Sequence, residues 1–172
     1  MTELERLIDT ESPDVVLVYG DTNSTLAGAL VAAKRSPLLA HVEAGLRSYD
    51  WSMPEEVNRR LTDHCSDLLF TPGEHAKQTL EQEGISEGVS VTGDVMYDTL
   101  LDIRDRIRTR GDTAEPPAEE YVLATVHRAK NTDDRERLAA IVDAFSRLTV
   151  PVVFPAHPRT VTALQEYGLW ER

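Results

Sequence analysis

The stretch VVLVYGDTNSTLAGALVAAKRSPLLAHV, residues 15–42, decides the fold. Val15 to Tyr19 is an apolar run of strand length that ends in Gly20-Asp21-Thr22. Thr22 to Arg35 reads as a helix, capped by Thr22 or Asn23 and rich in small residues (Ala27, Gly28, Ala29, Ala32, Ala33) that permit close packing. Leu38 to Val42 is a second apolar run. Strand, helix and strand in so short a span predict a parallel βαβ unit. The two strand ends then carry Asp21 and Glu43 to the edge of the sheet, where α/β proteins bind ligands.

The alternation continues outward. Residues 3–10 read as a helix with Leu4, Leu7 and Ile8 on one face. Downstream come helix 54–64, strand 67–70, helix 73–83 ended by Gly84, a short strand 89–91 and an amphipathic helix 97–108. Residues 109–120 turn polar and carry the Pro116-Pro117 pair, which marks a linker. After it follow strand 121–126, helix 132–147, strand 151–154 and a helix near 159–166. The fold class is α/β with Rossmann-like parallel sheets. Residues 1–108 form one domain and 121–172 the start of another. Parallel sheets need cover on both faces, and a second unit of this size is marginal by itself. The expectation is a central piece of a longer two-domain protein; the alternative is one compact α/β domain with a polar insertion.

The net charge of -12 and pI near 4.8 argue against a nucleic-acid partner. Lysine occurs only at Lys34, Lys77 and Lys130, and such an acidic, lysine-poor chain fits a high-salt cytoplasm or simple variation. The lone Cys65 excludes an internal disulfide framework and reads as a small core residue. No apolar run reaches the ~18 residues of a membrane span, and Met1 to Leu7 lacks a signal pattern. A cytoplasmic protein with no membrane partner is expected.

Carboxylates gathered in one crevice are what proton abstraction and return require. Each candidate has a plainer reading. Asp21 could be an N-cap. Glu43, between Val42 and Ala44, could pair with Arg47. Glu55 and Glu56 follow Pro54 and could simply favour a helix dipole. His127 ends an apolar run beside Arg128 and reads equally as structural or catalytic. His41 reads as structural and His75 as a surface residue, and His64 with Cys65 forms no metal-ligand spacing. Thr22 to Thr25 could meet a phosphate at a helix start, but capping explains them as well.

Six segments together resemble the non-hydrolysing UDP-N-acetylglucosamine 2-epimerase family. They are YGDTNSTLAGAL (19–30), HVEAGLRS (41–48), MPEEVNRRLTDH (53–64), VTGDVMYD (91–98), VHRAKNTDD (126–134) and FPAHPRT (154–160). The resemblance implies a glycosyltransferase-B-like fold, incomplete in this chain, with the site in an interdomain cleft. It implies interconversion of UDP-N-acetylglucosamine and UDP-N-acetylmannosamine by anti elimination of UDP and re-addition through 2-acetamidoglucal. No cofactor or metal is implied, and the full-length form is expected to be a homodimer. By motif position Asp21, Glu43, Glu55 and His127 are the catalytic residues, and Arg128, His157 and Arg159 bind substrate. Which carboxylate is base and which is acid stays open.

Three alternatives accompany this reading. They are an epimerase of a modified UDP-sugar such as the 2,3-diacetamido uronate, a hydrolysing relative, and a catalytically incompetent fragment. The resemblance also leaves out the family's Gly-Thr-Arg-Pro-Glu loop and its Ser-Gly-Gly uridine-binding region. Lys130 stands where a glutamate is usual, reversing a charge near the phosphates, and Gly73 stands where a threonine is usual, weakening a helix cap.

Overall fold

The computed structural model describes residues 1–110 and 118–171. The chain divides into two compact units, Met1–Arg110 and Gly111–Arg172.

The first unit is a four-stranded parallel sheet in the order β1-β2-β3-β4, with β1 Val15–Tyr19, β2 Leu38–Val42, β3 Leu68–Thr71 and β4 Val89–Val91. Helices α1 Thr2–Glu11, α2 Asn23–Ala32, α3 Pro54–Cys65 and α4 Glu74–Gln82 precede or link the strands, and α5 Val95–Arg110 follows them. The register pairs Tyr19 with Val42 and Val42 with Phe70, so the strands end level.

The small residues of α2 act as expected. A side chain at Gly28 would start 3.2 Å from a Val18 methyl, so glycine lets the helix lie close on β1. Val18, Ala29, Ala32 and Leu39 form one core, with Ile8, Val16 and Cys65 packed against it. Cys65 is thus the small packing residue the sequence predicts. Ala44, Leu69 and Leu80 form a second core. Fully burying a leucine such as Leu69 or Leu80 contributes about 1.5–3 kcal/mol.

Two readings are corrected in this unit. The strand at 15–19 is not covered on both faces as a parallel sheet would need: Val18 is buried, but Val15, Leu17 and Tyr19 are exposed on the other face of β1, an edge strand among the described residues. The helix expected at 97–108 starts earlier, at Val95, because the Asp94 carboxylate accepts the amide protons of Met96 and Tyr97.

Gly73 caps α4 with no side chain to do so, at an extended φ of -178°, and a Cβ there would meet nothing within 4 Å. Gly73→Ser is therefore expected to raise the stability of the chain by about 0.5–1 kcal/mol, from the restored cap and the lost chain entropy of glycine. The urea unfolding midpoint measures it, and no rise would mean that water already serves this helix end.

The second unit pairs β5 Val122–Leu123 with β6 Val152–Val153 in parallel. Helices α6 Ala129–Thr132, α7 Arg135–Ser146 and α8 Pro158–Glu166 surround a core of Leu138, Ala163, Leu164 and Leu169. Strand 121–126 is shorter than expected. The helix expected at 132–147 begins later, at Arg135, because Asp134 caps α7 through the amides of Glu136 and Arg137, and Thr132 ends the short α6 before it. Of the predicted linker, Thr109 and Arg110 belong to α5, and residues 111–117 lie outside the described residues.

Candidate active site

In the first unit the acidic residues collect beyond the carboxyl ends of β1 and β2. Gly20 continues the ladder by donating its N–H to Val42 O at 3.1 Å, so Asp21 and Glu43 leave neighbouring strand ends together. Gly20 turns with φ +65°, and a side chain on it would start 3.6 Å from Glu43 Oε2. That distance is ordinary contact, so what glycine supplies here is the left-handed turn that brings the chain past the Glu43 carboxylate.

Glu43 itself has φ +70°. A non-glycine residue in the left-handed region carries a backbone cost of about 1–3 kcal/mol, which persists only where the surroundings fix it. They do so two residues on, at Gly45. A side chain there would start 2.3 Å from Ala76 O, and the Gly45 N–H donates to Asp63 Oδ2 at 3.1 Å. Glu43 is half-buried and makes no ion pair among the described residues. Arg47, a candidate partner for it in the sequence, turns away to Asp63 and Glu83 at 2.7 and 2.6 Å. Burial alone would lower the Arg47 pKa, but hydrogen bonds to Glu83 and then Asp63 outweigh this and raise it above the ordinary value.

Asp21 is not the N-cap; Thr22 is, accepting the Thr25 amide proton at 3.3 Å. The Asp21 carboxylate instead accepts a hydrogen bond from Arg59 Nη2, while Asn58 Nδ2 donates to the Asp21 carbonyl at 2.9 Å. Helix α3 thus holds both the side chain and the backbone of Asp21.

The two glutamates after Pro54 separate completely. Glu55 is exposed, one turn before Arg59 on the same helical side, with no ion pair among the described residues. Glu56 is fully buried and accepts from the Ser48 amide, the Ser48 hydroxyl, Arg59 and Arg60 at 2.8–3.2 Å. Burial pushes its carboxyl up, but the Ser48 amide, Arg60, the Ser48 hydroxyl and Arg59 outweigh this and hold it at about 2. Trp51 lies 4.8 Å beneath the Arg60 guanidinium.

Sequence reasoning missed this apparatus. Every buried residue of α3 is polar: Glu56, Asn58, Thr62 and Asp63. The signal was available in the helical spacing of Glu56, Arg59, Arg60 and Asp63, which sets acids and cations three and four residues apart.

The second unit presents basic groups. The exposed His127 follows β5, and the preceding Val126 carbonyl accepts a hydrogen bond from Thr160 of α8. His157 caps α8, its Nδ1 accepting the Arg159 amide proton at 3.2 Å, which leaves Nε2 as its free nitrogen. The rings of His127 and His157 lie 6.5 Å apart. Arg159 is engaged by Asp133 at 2.6 Å, which raises the arginine's pKa and lowers that of the carboxyl. The exposed side chains of Arg128 and Lys130 make no hydrogen bond or ion pair among the described residues. Among those residues no group of three His, Cys, Asp or Glu could hold a metal ion, and no helix is long and apolar enough to cross a membrane.

The first unit, with acids held beyond its parallel strand ends, is of the open α/β class that binds ligands there. Within that class the chain belongs to the UDP-N-acetylglucosamine 2-epimerase family, whose model matches residues 1–170. It is 49% identical to a UDP-N-acetylglucosamine 2-epimerase homolog of Methanococcus maripaludis, over all of this chain and 49% of that protein. It is 46% identical to the UDP-2,3-diacetamido-2,3-dideoxy-D-glucuronate 2-epimerase of Pseudomonas aeruginosa, over 98% of this chain and 49% of the other. The crystal structure of Methanocaldococcus jannaschii UDP-GlcNAc 2-epimerase in complex with UDP-GlcNAc and UDP is similar with a TM-score of 0.86 and 43% identity, covering 99% of this chain and 49% of that one. The chain thus spans about half the length of the relatives it matches. The fold is that of these epimerases, parallel α/β and glycosyltransferase-B-like, over that half.

Proposed function

We propose that the full-length protein is a UDP-sugar 2-epimerase that interconverts UDP-N-acetylglucosamine and UDP-N-acetylmannosamine. The observation that carries the reading is the Glu43 carboxylate, held on a left-handed residue beside Gly20 and next to the clamped Asp21. A carboxylate removes the proton from sugar carbon C-2, and that electron pair forms the C-1–C-2 double bond. The C-1–oxygen bond breaks and UDP leaves with its electrons. Proton return to the opposite face with UDP re-addition inverts C-2. Two acids without a cation partner, Glu43 and Glu55, suit the proton transfers. Asp21, paired with Arg59, suits a fixed charge.

In the second unit His127, Arg128, His157 and Arg159 are assigned to the diphosphate and substrate; the free Arg128 is the best placed chemically for an anion. We assign residues 1–108 to the N-terminal domain, 109–120 to the linker and 121–172 to the C-terminal domain. A cytoplasmic homodimer making precursors of surface polysaccharide or glycan completes the reading.

A second substrate is favoured by one observation, the 46% identity to the diacetamido uronate epimerase. Proton NMR of the full-length protein in deuterated buffer, with each UDP-sugar in turn, tests both. Deuterium at C-2 with appearance of the manno epimer is expected from UDP-N-acetylglucosamine. Exchange only with the uronate moves the assignment to the modified sugar, and UDP with free sugar overturns the non-hydrolysing reaction.

A further inference from the structure

Buried behind these carboxylates is a histidine that the reaction as proposed does not use. His41 has no solvent exposure; its Nδ1 lies 2.7 Å from Asp63 Oδ1 and its Nε2 2.8 Å from Gly20 O. The carbonyl oxygen can only accept. Nε2 therefore donates to Gly20, while Nδ1 meets the Asp63 carboxyl group, whose Oδ2 accepts from the Gly45 amide and from Arg47 Nη1.

That bridge completes a pattern. From Asp21 the ion pairs run to Arg59, Glu56, Arg60, Glu83, Arg47, Asp63 and His41. From His41 a hydrogen bond returns to the carbonyl of Gly20, the residue before Asp21. Acidic and basic side chains alternate at every step of the circle. Such a hydrogen-bonded network stiffens the groups it joins, and opening it at His41 leaves buried polar atoms without partners. Glu43 stands outside the ring, between two of its anchors: His41 fixes Gly20 on one side, and Asp63 fixes Gly45 on the other.

We propose that His41 is a positioning residue that closes this ring and thereby holds the Gly20–Asp21 peptide and the Glu43 turn in reacting geometry. The inference rests on the epimerase reading above for its kinetic consequence. A displacement of about 1 Å at such a site costs on the order of 100-fold in rate.

The experiment uses the full-length protein and two substitutions that divide the two donors. The Nδ2 of asparagine matches His Nδ1, so His41→Asn keeps the Asp63 bond and loses Gly20. The Nε2 of glutamine matches His Nε2, so His41→Gln keeps Gly20 and loses Asp63. His41→Asn is expected to lower kcat for C-2 exchange about 100-fold, with KM changed less than about threefold, and His41→Gln less than about tenfold. A merely structural histidine would show losses that follow folded fraction, equal for equally stable variants. Equal kcat in the two variants, or parental kcat in His41→Asn, overturns the proposal. If neither variant folds, histidine-labelled nitrogen NMR of the parent at pH 7 decides. A slowly exchanging Nε2–H proton on one buried histidine supports the bond to Gly20 that closes the ring, and its absence overturns it. A parent without C-2 exchange overturns the epimerase reading, while the nitrogen spectrum still decides the ring.

Discussion

Glu43→Gln in the full-length protein is expected to lower solvent-deuterium exchange at C-2 by at least about 100-fold while leaving the fold intact. General acid–base groups contribute about 100- to 10,000-fold, and glutamine keeps the shape of glutamate but cannot take a proton. The fold should survive because Glu43 makes no ion pair among the described residues, whereas Arg47 and Asp63, which secure its turn, are untouched. Proton NMR reads the exchange rate and circular dichroism the fold. Parental exchange in a folded variant would remove Glu43 from the proton transfer.

Glu56, a member of the ion-pair ring that Glu43 stands outside, answers differently. Glu56→Gln is expected to destabilise the chain by about 2 kcal/mol at pH 7 and to alter its response to acid. The drop of the Glu56 carboxyl from 4.5 to about 2 corresponds to about 3 kcal/mol, and the partial exposure of Arg59 and Arg60 trims this to about 2. The sign follows from linkage. The folded value lies below the unfolded one, so the stabilisation is fully present above about 4.5 and is lost as pH falls through about 2. Urea unfolding midpoints at pH 7 and across that acid window measure both effects. The parent should lose stability there, and the variant should lack the Glu56 share of the loss. Identical acid limbs would mean that the charge of Glu56 contributes nothing.

These two glutamates also mark what a sequence can and cannot say. The apolar runs at 15–19 and 38–42 announce parallel strands, because alternation of such runs with helical periods has few other solutions. The motif positions of Asp21 and Glu43 follow from those strand ends. Glu55 and Glu56 are indistinguishable in sequence, since both sit in the first turn after Pro54. Which one is buried depends on the rotation of α3 against the Ser48 loop, a tertiary property. The same holds for Arg47, whose partners lie 16 and 36 residues away rather than four. In the second unit, the helix expected from 132 starts at Arg135 because the Asp134 cap outweighs periodicity.

The ring of ion pairs makes the arginines of this segment unequal in whether lysine can replace them. Arg59 reaches Glu56 and Asp21 through separate nitrogens, Arg60 does the same for Glu56 and Glu83, and Arg47 for Asp63 and Glu83. Lysine offers one ammonium where each of these arginines offers a fork. A replacement that is mild at the exposed Arg104 or Arg106 opens the circle at Arg47, Arg59 or Arg60. A lysine at any one of those three positions therefore leaves a carboxylate of the circle without its second hydrogen bond, and only a matching change at that carboxylate restores the balance.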